Sequence, residues 1–355
     1  MRIASFNVEN LFSRAKVLNF RDNALGSAQL AKIAELQDLL KEKVYTNKTQ
    51  IFNRYDALKE FIDITEDRGK LFKKSGVAKV GIKANGADDW DGTIDFKRDK
   101  FDAATRGNTS KAIKTVKADV FCIVEVENRE TLASFNSNLL GTGKFPYNMC
   151  IDGNDLRGID VGLYSRYPIT NIRTHIFDKT AANAKPTFPR DCLEVELKIS
   201  NTKKLHILCN HLTSKLSDKT GDKRKKQCGE IKKILQANYD LTTDLVAIAG
   251  DFNDTPDSGV LDTLLNMTHL HDVLKLQFPN KADRWTYHYA GNNDQIDYLL
   301  VSTPLKNLFQ QAGVERRGMH DLSAKSNGAE NSFPEVTSPA NAASDHGAVW
   351  ADFNL

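Results

Sequence analysis

The feature that most constrains the fold is a series of short, β-branched apolar runs with few helical segments between them. Runs of about four to eight such residues are typical of buried β-strands. Because helices seldom separate them, the pattern predicts mostly antiparallel sheets rather than a regular parallel βαβ order. The predicted strands are 2–8, 119–126, 158–165, 171–177, 192–199, 205–210, 244–250, 295–302 and 348–353.

Length and composition fit one large domain with two sheets. The chain has 355 residues, 40% of them hydrophobic, which is enough for a sizeable core. Helices are predicted over 129–140 and 222–239, whereas the polar, glycine-rich stretch 67–95 is predicted to be a loop. Two packed sheets covered by helices would suit this length.

The net charge and the cysteine content limit what can be inferred about binding partners and bound metals. The formal net charge is only +3, so a nucleic-acid site would have to be a local basic patch. Five cysteines occur without a CxxC spacing, and they are interpreted as reduced core residues, with disulfides or a zinc site as the alternative.

The chain shows neither a targeting segment nor a membrane segment. Its first residues alternate like a strand instead of forming the apolar block of a signal peptide. No apolar run is long enough to cross a bilayer. A cytoplasmic location without a membrane partner is therefore expected, with a secreted mature form as the alternative; no protein partner can be inferred.

Polar side chains recur where the predicted strands end. A lone Asp or Asn after a glycine is more often a turn or cap, and a lone His is more often a surface or satisfied core residue. Seven such clusters make sense together if they converge on one site. They are Asn7 with Glu9, Glu125, Asp160, Asn210 with His211, Asp251 with Asn253, Asp297, and Asp345 with His346.

These residue types suit phosphodiester hydrolysis. The reaction needs a cation to neutralise charge, a group that orients or deprotonates water, and donors for the phosphoryl oxygens. Hard oxygen ligands such as the Glu125 carboxylate suit Mg²⁺, Mn²⁺ or Ca²⁺. Histidine can donate to a phosphate oxygen, and a carboxylate behind it fixes its tautomer.

The motifs resemble, in order, those of the endonuclease/exonuclease/phosphatase superfamily, which includes deoxyribonuclease I-like and exonuclease III-like enzymes. The resemblance implies an α/β (α+β) four-layer sandwich, with two mostly antiparallel sheets packed face to face and flanked by helices. It covers nearly the whole chain, from Asn7 to His346. The matching segments are FNVENL, VEVEN, RGIDVGLYSR, FPRDCLEV, NHLTSK, GDFND, QIDYLLVS and SDHGAV.

The resemblance implies a metal site and a phosphate site. Glu125 matches the family's metal-binding Glu, and Asn7 lies in its first motif, near the metal and phosphate. Glu9 stands where the exonuclease III-like branch has Asp, a conservative departure. Asp345 is a further candidate ligand. The candidates for binding the substrate phosphate are Arg190, Asn210 and Lys215.

The resemblance also implies the catalytic set. Asp251 and Asn253 match the pair that positions water and phosphate. His346 closes the last motif, and Asp297 matches the carboxylate that orients it. His211 fits a second histidine found in the deoxyribonuclease I-like branch, with Asp160 as its candidate partner.

One departure from the family is large. A long stretch separates the first motif from Glu125, and most of it, at about 14–100, is interpreted as an insertion into a single domain spanning 1–355. It could serve as a lid, a substrate-selecting arm or a partner surface. Extra helices packed on one side are an equally good interpretation.

The predicted function is metal-dependent phosphodiester hydrolysis, with a DNA endonuclease as the first choice. A basic stretch after His211 could bind successive phosphates, or it could be an ordinary exposed helix start. The alternative is a phosphatase or phosphodiesterase acting on a lipid head group, an inositol phosphate or a nucleotide. A binding module without activity is the third class, which the complete set of site residues disfavours.

Overall fold

The computed structural model describes residues 1–11, 15–18, 23–98, 103–155, 157–179, 181 and 184–355. The chain divides into two compact units. The first consists of Met1–Phe12 and Asp102–Leu355, and the second is Ser13–Phe101. The second unit thus interrupts the sequence of the first.

The elements within residues 13–101 belong to the second unit, and those outside this range belong to the first. Among the described residues, strands are the more numerous elements. In the described chain they are β1 (Arg2–Leu11), β2 (Ile62–Gly69), β3 (Phe72–Ser75), β4 (Ala78–Ile82), β5 (Trp90–Phe96), β6 (Val120–Val126), β7 (Tyr147–Cys150), β8 (Asp160–Ser165), β9 (Ile169–Arg173), β10 (Leu193–Lys198), β11 (Lys204–His211), β12 (Val246–Asp251), β13 (Leu270–Asp272), β14 (Tyr287–Tyr289), β15 (Asn292–Asp294), β16 (Asp297–Ser302), β17 (Phe309–Glu315) and β18 (Ala348–Phe353). The α-helices are α1 (Asn23–Leu40), α2 (Lys48–Leu58), α3 (Ala103–Val116), α4 (Arg129–Phe135), α5 (Asp222–Asn238), α6 (Asp262–Leu265), α7 (Val273–Gln277), α8 (Thr303–Asn307) and α9 (Leu322–Lys325).

Two large sheets organise the first unit. Within the described residues, sheet 1 has six strands in the order β17-β18-β1-β6-β8-β7, and sheet 2 has six in the order β13-β16-β12-β11-β10-β9. Each has one parallel pair, β1 with β6 and β11 with β12, and its other pairs are antiparallel. The carboxyl ends of these parallel neighbours therefore meet at one edge of each sheet.

A continuous apolar cluster joins the inner faces of the sheets. Alternate residues contribute to it, such as Cys122 and Val124 of β6 and Ala247 and Ala249 of β12. The intervening residues face the helices, because successive side chains of a strand point to opposite faces. On the outer face of sheet 2, for example, Ile248 belongs to a second cluster with residues of α5.

Helices cover the outer faces. The hydroxyl of Tyr164 in β8 donates to the Leu132 carbonyl of α4 at 2.6 Å, which ties that helix to sheet 1. Helix α5 packs Ile231 and Leu235 against sheet 2. The prediction of two mostly antiparallel sheets packed face to face and flanked by helices is confirmed.

The second unit has its own core. Helices α1 and α2 pack with the antiparallel strand pairs β2–β5 and β3–β4 around buried residues that include Leu36, Leu58 and Ile62. The prediction that 67–95 is a loop was wrong, because most of these residues form strands. The cause is that few of their side chains are buried, which leaves little apolar alternation to recognise.

Two other expectations have clear outcomes. All five cysteines are buried and free, as predicted. Among the helices of the described chain, none is long and apolar enough to cross a bilayer.

Candidate active site

Strand alternation brings four of the predicted polar residues to the space between the sheets. Cys209, Ala249 and Leu299 contribute to the core between the sheets. Two residues further along β11 and β12, and two residues before Leu299 in β16, the same inner faces carry His211, Asp251 and Asp297. Asp251 pairs in register with both His211 and Asp297. Asn7 reaches them from β1 of sheet 1.

Backbone irregularities mark three further site residues. Glu9, Glu125 and Asn253 have positive φ values of 49°, 67° and 54°, a region in which non-glycine residues are uncommon. The register of the β6–β8 pair shifts around Glu125, and that of the β1–β6 pair shifts around Glu9. Such bulges turn a side chain away from the direction that regular alternation gives it.

Asp251 lies at the centre of the site and is buried. Its Oδ2 accepts from Asn7 Nδ2 at 3.1 Å, and its Oδ1 accepts from the Asn253 backbone N–H at 2.7 Å. His211 Nε2 lies 3.6 Å from Oδ2. Burial, and then the neighbouring Asp297, raise the pKa of Asp251 to about 7, which suits a group that exchanges protons near neutral pH.

His346 and Asp297 form a hydrogen-bonded pair. His346 Nδ1 lies 2.8 Å from Asp297 Oδ2, and its Nε2 lies 4.0 Å from Asp251 Oδ2. Burial lowers the pKa of His346, but the carboxylate of Asp297 outweighs it, and the pKa is well above its ordinary value. The ring is therefore a buried cation that can donate from Nε2.

His211 differs from His346. Burial, and then the positive charge of Arg190, hold the pKa of His211 well below its ordinary value, so its ring is neutral. The prediction that Asp160 orients His211 was wrong: among the described residues, Nδ1 of His211 has no hydrogen-bond partner. Asp160 is the first residue of β8, and its carboxylate instead accepts from the Gly153 backbone N–H in the preceding loop at 2.7 Å.

Three carboxylates crowd the same edge. Glu9 accepts from the Asp345 backbone N–H at 3.1 Å, and Glu125 lies 3.9 Å from His211 Nε2. Burial, and then the charges of Asp345 and Glu125, raise the pKa of Glu9 to about 7. A hard cation would relieve this repulsion, and carboxylate oxygens are the ligands that it prefers.

A second group could also hold an ion. Ligand atoms of Asp251, Asp297 and His346 lie within 4.8 Å of one another. The His346–Asp297 hydrogen bond already holds this group together without a cation. The carboxylates of Glu9, Glu125 and Asp345, whose charges act on one another, form the other candidate set, and carboxylate oxygens suit Mg²⁺ or Mn²⁺.

The predicted phosphate ligands have different surroundings. Arg190 is buried, and its Nη2 donates to the Leu212 carbonyl at 2.6 Å, beside Asn253 Nδ2, which donates to the same oxygen at 3.0 Å. The Asn210 side chain donates to the Leu208 carbonyl at 3.1 Å. Lys215 is half exposed and lies 3.4 Å from Asp254, outside the hydrogen-bonded cluster.

Sequence reasoning missed Tyr287 and Arg157. The ring of Tyr287 lies 4.7 Å from that of His346, with their backbones joined by a β-bridge. The charge of Arg157 acts on both His211 and Glu125. Arg157 opens the motif RGIDVGLYSR and could have been suspected, whereas the short hairpin that carries Tyr287 gives no comparable signal.

The comparison with known families identifies the family of the chain. The sequence model of the endonuclease/exonuclease/phosphatase family matches residues 98–346. The chain belongs to this family. Membership supports phosphodiester hydrolysis as the class of reaction and leaves the substrate open. No curated protein matches the chain significantly.

Solved structures of the family share its fold. Truncated Caenorhabditis elegans TDP2 is 16% identical, with 72% of this chain and 92% of that chain covered and a TM-score of 0.51. Danio rerio TDP2 complexed with single strand DNA product is 14% identical, with coverage of 72% and 94% and a TM-score of 0.51. An AP endonuclease from Archaeoglobus fulgidus is 15% identical, with coverage of 71% and 96% and a TM-score of 0.50. At these identities the likeness shows the fold alone.

Proposed function

We propose that this protein is a divalent-metal-dependent phosphodiesterase that cleaves DNA as an endonuclease. The observation that carries the proposal is the convergence on Asp251. This buried carboxylate, with its pKa raised to about 7, faces a neutral and a cationic histidine and is held by two asparagines.

The residues present fit a hard cation. Glu9, Glu125 and Asp345 would hold Mg²⁺ or Mn²⁺, and Asn7 would lie beside it. The pKa of Glu9 is raised to about 7, first by its burial and then by the charges of Asp345 and Glu125, and a cation bound there would offset both effects. The bound ion would polarise the phosphoryl group and offset its negative charge.

The chain's own residues supply the proton chemistry. Asp251 would orient the attacking water and accept its proton. Asn253 holds Asp251 through its backbone N–H and is itself anchored on the Leu212 carbonyl. His346, kept cationic by Asp297, would donate to a phosphoryl oxygen or to the leaving oxygen. His211 would donate a further hydrogen bond from its neutral ring.

DNA is proposed as the substrate on two grounds. Structures that share the fold include a protein complexed with single strand DNA product and an AP endonuclease. The surface next to the site also carries basic side chains, among them Arg157 and Lys223. Both support a polyanionic substrate.

The test compares activity in two variants that replace an ionisable side chain with an amide. Asp251→Asn and His346→Gln should each lower kcat by about 1000-fold or more, because each removes a proton-transferring group while the fold stays intact. Nicking of supercoiled DNA with Mg²⁺ or Mn²⁺, and its loss with EDTA, measures the reaction. Asp257→Asn, at an exposed carboxylate, is the control. Near-normal activity of both site variants would reject the assignment.

The same assay addresses the alternative substrates. Linear DNA, RNA, a generic phosphodiester and soluble phosphate esters are tested beside the plasmid. Cleavage of a soluble phosphate ester without nicking of DNA would favour a phosphatase or phosphodiesterase acting on a lipid head group, an inositol phosphate or a nucleotide.

A further inference from the structure

A cavity of about 830 Å³ adjoins the catalytic cluster. Arg190 forms part of its wall and donates to the carbonyl of Leu212, the residue that directly follows His211. Asn253 shares that carbonyl. The charge of Arg157, which also lines the cavity, reaches Glu125 and His211. The cavity and the catalytic cluster thus share a wall.

The cavity is strongly basic. Among the described residues that line it, one side chain is acidic, that of Asp155, and five are basic: Arg157, Lys185, Arg190, Lys223 and Lys226. Asp155 binds Arg157 Nη2 at 2.7 Å and lies 3.5 Å from Arg190 Nη1. One carboxylate cannot balance five cations, so the surplus positive charge favours an anionic ligand.

Two lining residues have unmet hydrogen-bonding capacity. Arg190 is 3% exposed, and its Nε has no hydrogen-bond partner among the described residues. The hydroxyl of Thr187 is likewise buried without a partner in the described chain. An unmet buried polar group costs on the order of 1–3 kcal/mol. Ligand-binding sites commonly contain such groups, because the ligand completes them.

The rest of the wall suits a ring rather than a bare ion. Phe188 is buried beneath it, and Pro186 and Pro189 are half-buried along it. The volume lies in the range of pockets for drug-sized organic ligands, which is about 300–1,000 Å³. An anion attached to a flat, partly apolar group fits both the charge and the space.

We propose that this cavity holds the nucleotide next to the scissile phosphate, with the neighbouring phosphate bound by Arg157, Lys223 and Lys226. The inference rests on the proposed function and deepens it. It makes an oligonucleotide, rather than an isolated phosphodiester, the substrate that the site selects.

The test removes two cavity lysines and compares them with a matched pair on the same helix. Lys223→Ala/Lys226→Ala takes two charges from the cavity. Lys225→Ala/Lys233→Ala takes two charges from exposed positions of α5 that do not line it. Both variants are assayed with a single-stranded oligonucleotide and with bis(4-nitrophenyl) phosphate. Binding of a fluorescent oligonucleotide is measured separately in an Asp251→Asn background.

The cavity variant should raise the KM and Kd for the oligonucleotide about tenfold and lower the slope of log Kd against log salt by about 1–2. Its kcat on bis(4-nitrophenyl) phosphate should be unchanged. The control pair should change neither the binding of the oligonucleotide nor the activity on either substrate. Equal effects of the two pairs, or no effect on Kd, would overturn the inference. If the wild type binds the oligonucleotide through these lysines but neither cleaves it nor nicks supercoiled DNA, the proposed function fails and the anionic site stands.

Discussion

Two histidines meet the same carboxylate in opposite protonation states. His211 is neutral because it is buried close to Arg190, whereas His346 is cationic because Asp297 lies 2.8 Å from its Nδ1. Asp251 lies between them with a pKa near 7. Neighbouring groups whose pKa values are driven apart are the usual sign of divided acid and base roles.

The role of Asp297 can be isolated by Asp297→Asn. The amide keeps the shape of the side chain but loses the charge that raises the pKa of His346. We expect kcat to fall about 100-fold or more. Because the cationic form of His346 is then lost at lower pH, the high-pH limb of kcat/KM should move to lower pH. An unchanged pH profile would contradict the assignment of His346 as the cationic donor.

A buried histidine outside the site makes stability depend on pH. His175 Nδ1 lies 2.7 Å from Asp178 and its Nε2 lies 3.1 Å from Glu194. Burial lowers the pKa of His175, but Glu194 and Asp178 outweigh it and raise that pKa above its ordinary value. Burial raises the pKa of Glu194, but His175 and Tyr239 outweigh it and lower that pKa.

We therefore expect His175→Gln to lower the free energy of unfolding most at about pH 5–6, between the unfolded-state pKa values of glutamate and histidine. The contribution of His175 is present below its unfolded pKa and is lost as the pH rises through its higher folded pKa. That of Glu194 is lost as the pH falls through its lowered folded pKa. Urea unfolding from about pH 4 to 9 should show a maximal difference of about 2 kcal/mol. A difference that does not vary with pH would contradict the ion pair.

At the scale of elements, the parallel strands β11 and β12 set His211 beside Asp251. Their close approach depends on Gly250, which has a φ of 145°, where a Cβ would come 1.8 Å from the Asn210 carbonyl oxygen. No side chain fits there without moving one strand, and any such movement displaces both site residues.

Gly250→Ala should accordingly destabilise the protein by about 3 kcal/mol or more and abolish activity in the fraction that folds. Gly229→Ala is the matched control. It lies within α5 with nothing within 4 Å of the added methyl group, so it should stabilise the protein by up to about 1 kcal/mol. Thermal and urea unfolding with an activity assay measure both. Wild-type behaviour of Gly250→Ala would contradict the close approach of the strands.

The sequence predicted the regular strands of the site but not its bulges and loops. The runs that carry His211, Asp251 and Asp297 predicted their strands well, because they are short and almost continuously apolar. Regular alternation from Val124 would send Glu125 away from the inner face, and only the bulge explains its place beside His211. Bulges depend on pairing between distant strands, and no local pattern announces them. Asp160 was misassigned because its hydrogen-bond partner, the backbone N–H of Gly153, lies in a loop whose course no local pattern predicts.

At the scale of the molecule, the unit Ser13–Phe101 has a separate core around residues such as Leu36, Leu58 and Ile62. Its length is in the range at which single domains fold alone. We expect the fragment 13–101 to unfold cooperatively in urea and to lack phosphodiesterase activity. Circular dichroism against urea measures this, and a fragment without a transition would show that the unit depends on the rest of the chain.

The crowded carboxylates of Glu9, Glu125 and Asp345 have a practical consequence. Anions that repel one another weaken the folded state. An ion that binds among them at a hundredfold excess over its Kd should raise the free energy of unfolding by about 2.7 kcal/mol, and the melting temperature should rise with it. Melting curves could then rank Mg²⁺, Mn²⁺ and Ca²⁺ before any substrate is known. In Glu9→Gln the three ions should raise the melting temperature less and by more similar amounts, while the ion-free protein should melt at a higher temperature than the wild type. The melting temperature of the protein would thus report which ion its catalytic centre binds.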